Sequence, residues 1–353
     1  MVVAVLGAYG GIGQSICRKL LSFSDVEVKA SGRRLEEAKN ILFDLWDKIR
    51  YENVDITDEK SFEKFLTDVG ILINAAGIEG KKELEMINLC QRTKVQYISS
   101  GKVNQQAVQR NCIFDAGSMP GLSLLIPRAM AKTMKEPVVE VNFYYCVQDS
   151  FSKNAAKDYI EGLFDNKKRM VVTYEHGKLI PFVENGDFEM PYLEGKKKRY
   201  PFYDRESEIL VRDLKLKKGS WSMVLEGKRT MKALEECRAI YQENQELAIE
   251  KLCKASSLDT FEHGRYSAIY VQMKTENKES CCFVKCNTSS ELTALASVLC
   301  VALIQRRQLE NFYGSFGELG NTEDIIELLQ ELADEVLWES DKGEAGELLA
   351  GEI

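Results

Sequence analysis

The chain has 353 residues, 44% hydrophobic and 29% charged, a composition typical of a globular protein with one or two cores. Its formal net charge of −8 and its dispersed Lys and Arg residues argue against nucleic acid as a partner. The first residues lack the basic segment of a signal peptide, and no apolar run approaches the ~20 residues that span a bilayer, so we expect a cytoplasmic protein with no membrane partner.

Short β-rich runs alternate with helical stretches as far as about residue 125. This pattern is typical of an α/β fold in which helices cover both faces of a parallel sheet. Strands are predicted at residues 2–6, 26–31, 51–55, 70–75, 95–99 and 112–115. Helices are predicted near residues 12–23, 34–49, 58–68, 80–93 and 103–110. We therefore predict an N-terminal Rossmann domain, a doubly wound parallel sheet, over residues 1–125.

A glycine-rich loop lies between the first strand and the first helix. Gly7 permits a tight turn, Gly10 or Gly11 lets the backbone approach a pyrophosphate, and Gly13 allows close packing of the helix on the sheet. The free N–H groups and the dipole of the helix N-terminus attract phosphates. The predicted cofactor contacts in this loop are Gly7, Tyr9, Gly10, Gly11, Ile12 and Gly13.

The end of the second strand indicates which dinucleotide binds. Gly32 stands where an enzyme that prefers NAD would place an acidic residue for the ribose hydroxyls. Arg33 and Arg34 follow it and can pair with a 2′-phosphate. We therefore predict NADP(H) as the cofactor, the alternative being that both arginines are surface residues at the start of a helix.

Two later strand ends complete the predicted cofactor site. Asp55 and Ile56 close the third strand, where Asp55 can accept the amino group of the adenine, and Thr57 or Asp58 can cap the following helix. Small residues after the fourth strand leave room for the nicotinamide half. These residues are Asn74, Ala75, Ala76 and Gly77.

After Pro120 the pattern changes to strands separated by turn-rich loops. Strands at 138–147, 169–174 and 266–274 predict an α+β second domain over residues 126–287, with a mostly antiparallel sheet. Apolar periodicity predicts helices at 288–308 and 323–338, which we expect to pack on the Rossmann domain as a segment of residues 288–340. Residues 341–353 are predicted to be a flexible tail.

The glycine spacing also resembles that of short-chain dehydrogenases, which need a Tyr and a Lys four residues apart on a helix. This spacing occurs at Tyr174/Lys178, Tyr192/Lys196 and Tyr270/Lys274. The first two pairs lie in turn-like sequence and the third in a predicted strand. The short-chain interpretation therefore lacks its catalytic helix.

A second motif resembles another family more closely. The segment from Gly117 to Ser123 contains Pro120 and Gly121 and leads into a helix, and it resembles the Gly-x-x-Pro-Gly-Leu-Ser segment of the saccharopine dehydrogenase family. The resemblance extends to residues 7–13, to residues 54–58 and to the strand that ends at Ser99 and Gly101, and it covers residues 1 to about 135. It adds Ser99 and Gly101 to the predicted cofactor contacts.

The resemblance implies hydride transfer between NADP(H) and a carbon–nitrogen bond, either reduction of an imine or oxidation of an amino acid. A substrate carboxylate is expected at the turn formed by Ser118, Met119, Pro120 and Gly121, where backbone N–H groups face the nicotinamide, the alternative being that this segment is only a structural turn. A homodimer formed through the second sheet is also implied. An alkene reductase and a cofactor-binding sensor without turnover remain as alternatives.

Two residues are candidates for the catalytic acid. Lys102 stands where the family often has an acidic residue, and Ile78 stands where it often has proline. We predict Lys102 and Tyr144 as candidate catalytic residues, the alternative for Lys102 being a surface lysine at the start of a helix. Other candidates from the second domain are Tyr145, Arg128 and His176. No metal site is predicted, because Cys281, Cys282 and Cys286 have no fourth Cys or His nearby.

Overall fold

The computed structural model describes residues 1–23, 25–101, 110–162, 171–183, 188–306, 312–319 and 324–339. The chain divides into two compact units. The first unit comprises Met1–Ile126 and Ser290–Ala333. The second unit comprises Pro127–Ser289 and the residues from Asp334 onward.

The first unit is built around a parallel sheet. Its strands are β1 (Val2–Leu6), β2 (Glu27–Gly32), β3 (Arg50–Asn53), β4 (Ile71–Asn74), β5 (Gln96–Ser99), β6 (Cys112–Phe114) and β16 (Tyr313–Ser315). Its helices are α1 (Gly11–Phe23), α2 (Leu35–Ile41), α3 (Glu59–Phe65), α4 (Gly80–Thr93), the start of α5 (Leu122–Thr133), α10 (Ser289–Gln305) from Ser290, and α11 (Ile325–Leu332).

The described strands of the first unit follow the order β16-β6-β5-β4-β1-β2-β3, and every pairing is parallel. The order turns back beside β1, so β1 and β4 form the switch point at which doubly wound sheets bind ligands. Both strands are almost completely buried, which explains their unbroken apolar sequences. The predicted Rossmann fold is confirmed.

Some predicted elements of this unit differ from the structure. The helix expected at 34–49 ends at Ile41 and is followed by a turn and a short 3-10 helix at Trp46–Lys48. The strand β16 was not predicted, because three residues are too few for a pattern. Helix α5 begins at Leu122, so Ser123 lies within the helix. The helix predicted at 103–110 lies almost entirely outside the described residues.

The second unit contains a larger, mixed sheet. Its strands are β7 (Glu140–Gln148), β8 (Val172–Glu175), β9 (Lys178–Pro181), β10 (Phe188–Met190), β11 (Leu193–Lys197), β12 (Arg199–Pro201), β13 (Lys218–Leu225), β14 (Tyr266–Lys274), β15 (Glu279–Cys286) and β17 (Glu335–Glu339). Its helices are the remainder of α5, α6 (Lys153–Gly162), α7 (Arg205–Leu214), α8 (Lys228–Glu243) and α9 (Gln245–His263).

Within the described part of this unit, the main sheet runs β17-β15-β14-β7-β13-β8-β9, and β12 also pairs with β13. Only β7 and β13 pair in parallel there, so the predicted, mostly antiparallel sheet is confirmed. The strands β10 and β11 form a separate hairpin. Its Met190 packs with Tyr144 and Tyr270 from the main sheet in one apolar cluster.

The prediction of a single helix over residues 323–338 is wrong. Helix α11 ends at Leu332, and the chain continues as β17, which pairs antiparallel with β15 and aligns Val336 with Val284. The segment 288–340 therefore does not consist only of helices that pack on the Rossmann domain. The β-branched and aromatic residues Val336 and Trp338 suit a strand, and the pairing with β15 favours it over the helix.

Sequence patterning also missed the helical hairpin α8–α9. Its helices are held together by apolar contacts and by Asp259, whose carboxylate accepts hydrogen bonds from the backbone N–H and the hydroxyl of Thr230 at 2.7 and 2.8 Å. Among the described helices of the chain, none is both long and apolar enough to cross a membrane.

Candidate functional site

The glycine loop forms a tight turn at the carboxyl end of β1. Gly7 has a φ of +78°, and the backbone N–H groups of Gly7 and Ala8 both donate to the carbonyl of Ser31 at 3.0 Å. A Cβ atom on Gly13 would overlap the carbonyl oxygen of Gly7 and lie 2.8 Å from Cα of Ala8. The start of α1 therefore approaches the loop as closely as the sequence predicted.

The loop after β4 lies against this turn. A Cβ atom on Gly7 would come within 2.8 Å of Cα of Ala76, and the backbone N–H of Ala75 donates to the carbonyl of Leu6 at 3.0 Å. Gly77 has a φ of +64° and open space around it. The structure thus brings residues 74–77 to the glycine loop at one edge of the sheet.

The end of β2 forms a small aromatic site. A Cβ atom on Gly32 would overlap Cε1 of Tyr9 and lie 3.1 Å from the hydroxyl oxygen of Tyr51, so a larger residue there would have to displace the Tyr9 ring. The guanidinium of Arg34 lies 5.8 Å from the centre of the Tyr9 ring and pairs with Glu37 at 2.7 Å. The hydrogen bond with Tyr9 raises the pKa of Arg34, so its positive charge is secure.

Tyr51 is a residue of this site that sequence reasoning missed. Its hydroxyl oxygen is buried and has no hydrogen-bond partner among the described residues. Burial raises the pKa of Tyr51 to about 12, so the hydroxyl keeps its proton and remains a donor. A buried donor without a partner is costly, and a ligand oxygen would satisfy it. A 2′-phosphate beside Gly32 fits that requirement.

The neighbouring turn at the end of β3 is held by side chains. Asp55 accepts hydrogen bonds from the backbone N–H of Thr57 at 2.8 Å and from its hydroxyl at 2.7 Å, and these bonds lower the pKa of Asp55. Asp58 caps α3 by accepting from the backbone N–H of Lys60 at 3.2 Å. The predicted cap is thus Asp58, and Asp55 remains an exposed carboxylate beside Ile56.

The ends of β4 and β5 meet at a buried glutamate that the sequence did not single out. Glu83, in the first turn of α4, is 2% exposed. One of its carboxylate oxygens, Oε1, accepts hydrogen bonds from Asn74 at 3.4 Å, Tyr97 at 3.0 Å and Ser99 at 2.9 Å. Burial raises the pKa of Glu83. A polar residue among the apolar positions of a helix was the only sequence signal for this role.

The Gly-x-x-Pro-Gly segment forms the next turn along the same edge. The backbone N–H of Ala116 donates to the carbonyl of Ser99 at 3.0 Å. Gly121 has a φ of +127°, and a Cβ atom there would overlap the carbonyl oxygen of Asp115, so this position requires glycine. The segment with Ser118, Met119 and Pro120 therefore lies beside the predicted nicotinamide contacts.

The start of α10 covers part of this edge. Ser290 Oγ would lie 2.9 Å from a Cβ atom on Gly11 in the glycine loop. The hydroxyls of Thr293 and Ser118 are 3.2 Å apart, and Ser297 donates to the carbonyl of Ala116 at 3.2 Å. Hydroxyl groups of α10 thus line both the glycine loop and the turn at 117–121, and no sequence pattern had indicated them.

The described residues of the first unit include neither candidate catalytic residue. Lys102 lies outside the described residues. Tyr144 belongs to the second unit, where its ring stacks on Phe188 and Tyr270 at 5.0 and 6.0 Å, and burial raises its pKa. Tyr145 lies on the same strand, β7, as Tyr144.

The two remaining candidates also belong to the second unit. Arg128 lies 3.9 Å from Asp213. His176 occupies the exposed turn between β8 and β9. All four second-unit candidates remain predictions.

The short-chain interpretation fails on geometry as well. Tyr270 and Lys274 lie in β14, Tyr174 and Lys178 lie in the β8–β9 hairpin, and Tyr192 and Lys196 lie in the β10–β11 hairpin. None of the three pairs is on a helix. The required placement of both side chains on one helical face is absent.

Residues 3–115 match the family model described as the saccharopine dehydrogenase NADP binding domain. This part of the first unit is therefore similar to the NADP-binding domain of the saccharopine dehydrogenases. The match spans the glycine loop and the strand ends described above, and it confirms both the predicted family resemblance and a nicotinamide dinucleotide as the cofactor. No curated protein sequence matches the chain significantly.

Two solved structures share the fold over almost the whole chain. The apo saccharopine dehydrogenase (L-Glu forming) of Saccharomyces cerevisiae is 11% identical, with a TM-score of 0.65 over 96% of this chain and 99% of that one. The homospermidine synthase of Legionella pneumophila, solved in complex with NAD, is 14% identical, with a TM-score of 0.59 over 100% and 96% of the two chains. The family model that residues 3–115 match is that of an oxidoreductase family, and the shared fold continues beyond these residues through the second unit.

Proposed function

We propose that the chain is an NADP(H)-dependent oxidoreductase that acts on a carbon–nitrogen bond of an amino acid or imine. The observation that carries the proposal is the agreement in fold along nearly the full length of a saccharopine dehydrogenase, together with the family's NADP-binding domain. The second similar structure is a homospermidine synthase in complex with NAD. Fold alone does not set function, so the residues of the site must carry the chemistry.

Each part of the dinucleotide has a matching set of groups in the first unit. The pyrophosphate would lie over Gly10 and Gly11 at the N-terminus of α1. The 2′-phosphate would bind Arg33, Arg34 and the hydroxyl of Tyr51. With its amide oriented to satisfy both partners, Asn53 donates to the carbonyls of Gly32 and Arg33 at 2.8 and 2.9 Å, which fixes the backbone beneath them.

The nicotinamide half of the dinucleotide would cross the edge of the sheet between residues 74–77 and 99–101. The chemistry that a bound nicotinamide supplies is transfer of a hydride. The chain's task is to hold the substrate at that ring, and we assign its carboxylate to the turn at 117–121. Imine reduction also needs a proton at nitrogen, and Lys102 and Tyr144 are the proposed donors.

The test is incubation of the purified protein with NADPH, 2-oxo acids and amines while the absorbance of the reduced nicotinamide is followed. We expect consumption of NADPH only when a 2-oxo acid and an amine are both present. Consumption with unsaturated acyl substrates instead would assign an alkene reductase. Tight NADPH binding without consumption of NADPH by any substrate would assign a sensor.

The proposal includes a homodimer that covers exposed sheet edges. Among the described strands, β9 and β17 are at the two ends of the second sheet, and each has one side free to pair. Light scattering is expected to give twice the mass of the 40.0 kDa chain. A monomer at that mass would contradict the dimer and leave the proposed reaction unaffected.

A further inference from the structure

Glu83 joins two loops that the proposed cofactor would touch. Its Oε1 accepts from the amide of Asn74, at the end of β4, and from the hydroxyl of Ser99, at the end of β5. The third donor, Tyr97, also belongs to β5. Three donors on one oxygen of a side chain that is 2% exposed form a built arrangement rather than a surface contact.

Two of the side chains that donate to Glu83 also form hydrogen bonds with the backbone of the two loops. Asn74 donates a second hydrogen bond to the carbonyl of Ile78 at 3.0 Å, and its Oδ1 accepts the N–H of Ala76 at 3.2 Å. Ser99 Oγ accepts the N–H of Gly101 at 3.2 Å. Because Ser99 gives its only proton to Glu83, its lone pairs remain free for that N–H. The carboxylate thus sets the direction of both sets of bonds.

The titratable groups around Glu83 do not neutralise it. Glu79 precedes the same helix and adds negative charge, which raises the pKa of Glu83 further. Tyr97 on β5, Cys90 on α4 and Cys112 on β6 have pKa values raised by burial and keep their protons. Within the described ranges, no basic side chain forms an ion pair with Glu83. Its hydrogen bonds are therefore its main stabilisation as an anion.

We propose that Glu83 is a positioning residue for the nicotinamide half of the dinucleotide, acting through Asn74 and Ser99 on the loops at 74–78 and 99–101. The inference rests on the proposed function for its ligand. It adds a residue that does not touch the cofactor but orders both loops beside it. The adenosine half binds at the ends of β2 and β3 and does not depend on this arrangement.

The test compares two ligands on the Glu83→Gln variant by calorimetry. NADPH reaches both halves of the site, whereas 2′,5′-ADP carries only the adenosine half with its 2′-phosphate. Removing the charge should weaken NADPH binding about tenfold, since hydrogen bonds to a charged group are the stronger kind. Affinity for 2′,5′-ADP should stay unchanged. Glu85→Gln on the exposed face of the same helix is the matched control and should alter neither ligand.

If Glu83→Gln bound both ligands equally more weakly, or bound both with unchanged affinity, the inference would be overturned. If the wild-type protein binds neither ligand, the proposed function fails first and the inference fails with it. Ser99→Ala provides a second variant in case Glu83→Gln does not fold, as judged by thermal unfolding. This variant removes one hydrogen-bond donor to Glu83 and the acceptor for the N–H of Gly101, so it should weaken binding of NADPH but not of 2′,5′-ADP. An unchanged NADPH affinity would again overturn the inference.

Discussion

Arg33 and Arg34 decide the preference for NADP(H) over NAD(H) in this proposal. Charge-assisted hydrogen bonds to a phosphate are stronger than neutral ones, and the exposure of the Arg34 guanidinium weakens them through solvent screening. We expect the Arg33→Ala/Arg34→Ala variant to bind NADPH about 10- to 100-fold more weakly, with NADH affinity unchanged. Calorimetry with both cofactors checks this. Equal loss for NADH would mean that the arginines act on the fold and not on the phosphate.

Removing the hydroxyl of Tyr51 is expected to weaken cofactor binding without lowering the stability of the fold. Its hydroxyl is buried and has no partner in the part of the chain that the structure describes, and such a group costs about 1–3 kcal/mol. Tyr51→Phe should therefore leave the free energy of unfolding unchanged or raise it, while NADPH binding becomes about tenfold weaker. Urea unfolding and a cofactor titration measure the two effects. A clear loss of stability would show that the hydroxyl has a partner in the free protein.

The buried carboxyl of Glu83 predicts a pH dependence. Its pKa in the folded chain is raised above the usual 4.5, so the folded state holds the proton more tightly than the unfolded state. Stability from this group is then greatest at low pH and falls as pH rises from about 4.5 through the folded pKa. The unfolding free energy of the wild type minus that of Glu83→Gln should fall over this range.

Binding of NADPH should respond to pH in the opposite direction, because the ionised carboxylate orders the two loops. Its affinity should rise with pH over the same range more steeply in the wild type than in Glu83→Gln, because ionisation of the 2′-phosphate affects both proteins alike. A parallel pH dependence in the two proteins would contradict this.

The positions of residues were predictable where they follow from local chain geometry. Gly7, Gly13 and the arginines after Gly32 stand at fixed positions relative to strands and helices, so their spacing alone predicts their place. Glu83 and Tyr51 acquire their roles from neighbours on other strands and helices. No pattern along the chain reports such contacts, and for that reason both were missed.

At the scale of elements, two glycines in the turn from β1 to α1 have different roles: Gly13 allows close packing, and Gly10 leaves room for the cofactor. A Cβ atom on Gly13 would overlap a backbone carbonyl, whereas one on Gly10 would meet only the carbonyl oxygen of Gly7 at 3.3 Å. We expect Gly13→Ala to destabilise the fold by about 1–3 kcal/mol. Gly10→Ala should stay close to wild-type stability and lose NADPH binding, because the side chain occupies the approach to the pyrophosphate.

Thermal unfolding and cofactor titration of these two variants distinguish the roles. Loss of stability in Gly10→Ala equal to that in Gly13→Ala would contradict the separation. Normal NADPH binding by Gly10→Ala would show that the pyrophosphate does not lie over Gly10.

Elements with strong periodicity were predictable, and those fixed by distant pairing were not. Helices α1, α4 and α10 bury one face or nearly all of their surface, and their limits agree with prediction to within a few residues. Strand β17 was predicted as helix because the apolar spacing of α11 runs into it. Its pairing partner, β15, lies about 50 residues earlier in the chain, and local sequence contains no record of that pairing.

At the scale of the whole molecule, the first unit is assembled from two separate stretches of chain. Met1–Ile126 supplies six of its described strands, and Ser290–Ala333 supplies α10, α11 and the edge strand β16. The hydroxyls of Ser290, Thr293 and Ser297 that line the glycine loop and the turn at 117–121 come only with the second stretch. A gene fragment that stops at residue 126 would therefore encode an unfinished nucleotide pocket.

Such a fragment should be insoluble or lack NADPH affinity when expressed alone, as a solubility assay and a titration would reveal. Co-expression of a peptide covering 290–333 should restore some affinity by complementation. Recombination that exchanges the cofactor-binding unit between relatives would have to transfer both stretches together. A single crossover therefore cannot exchange the complete unit.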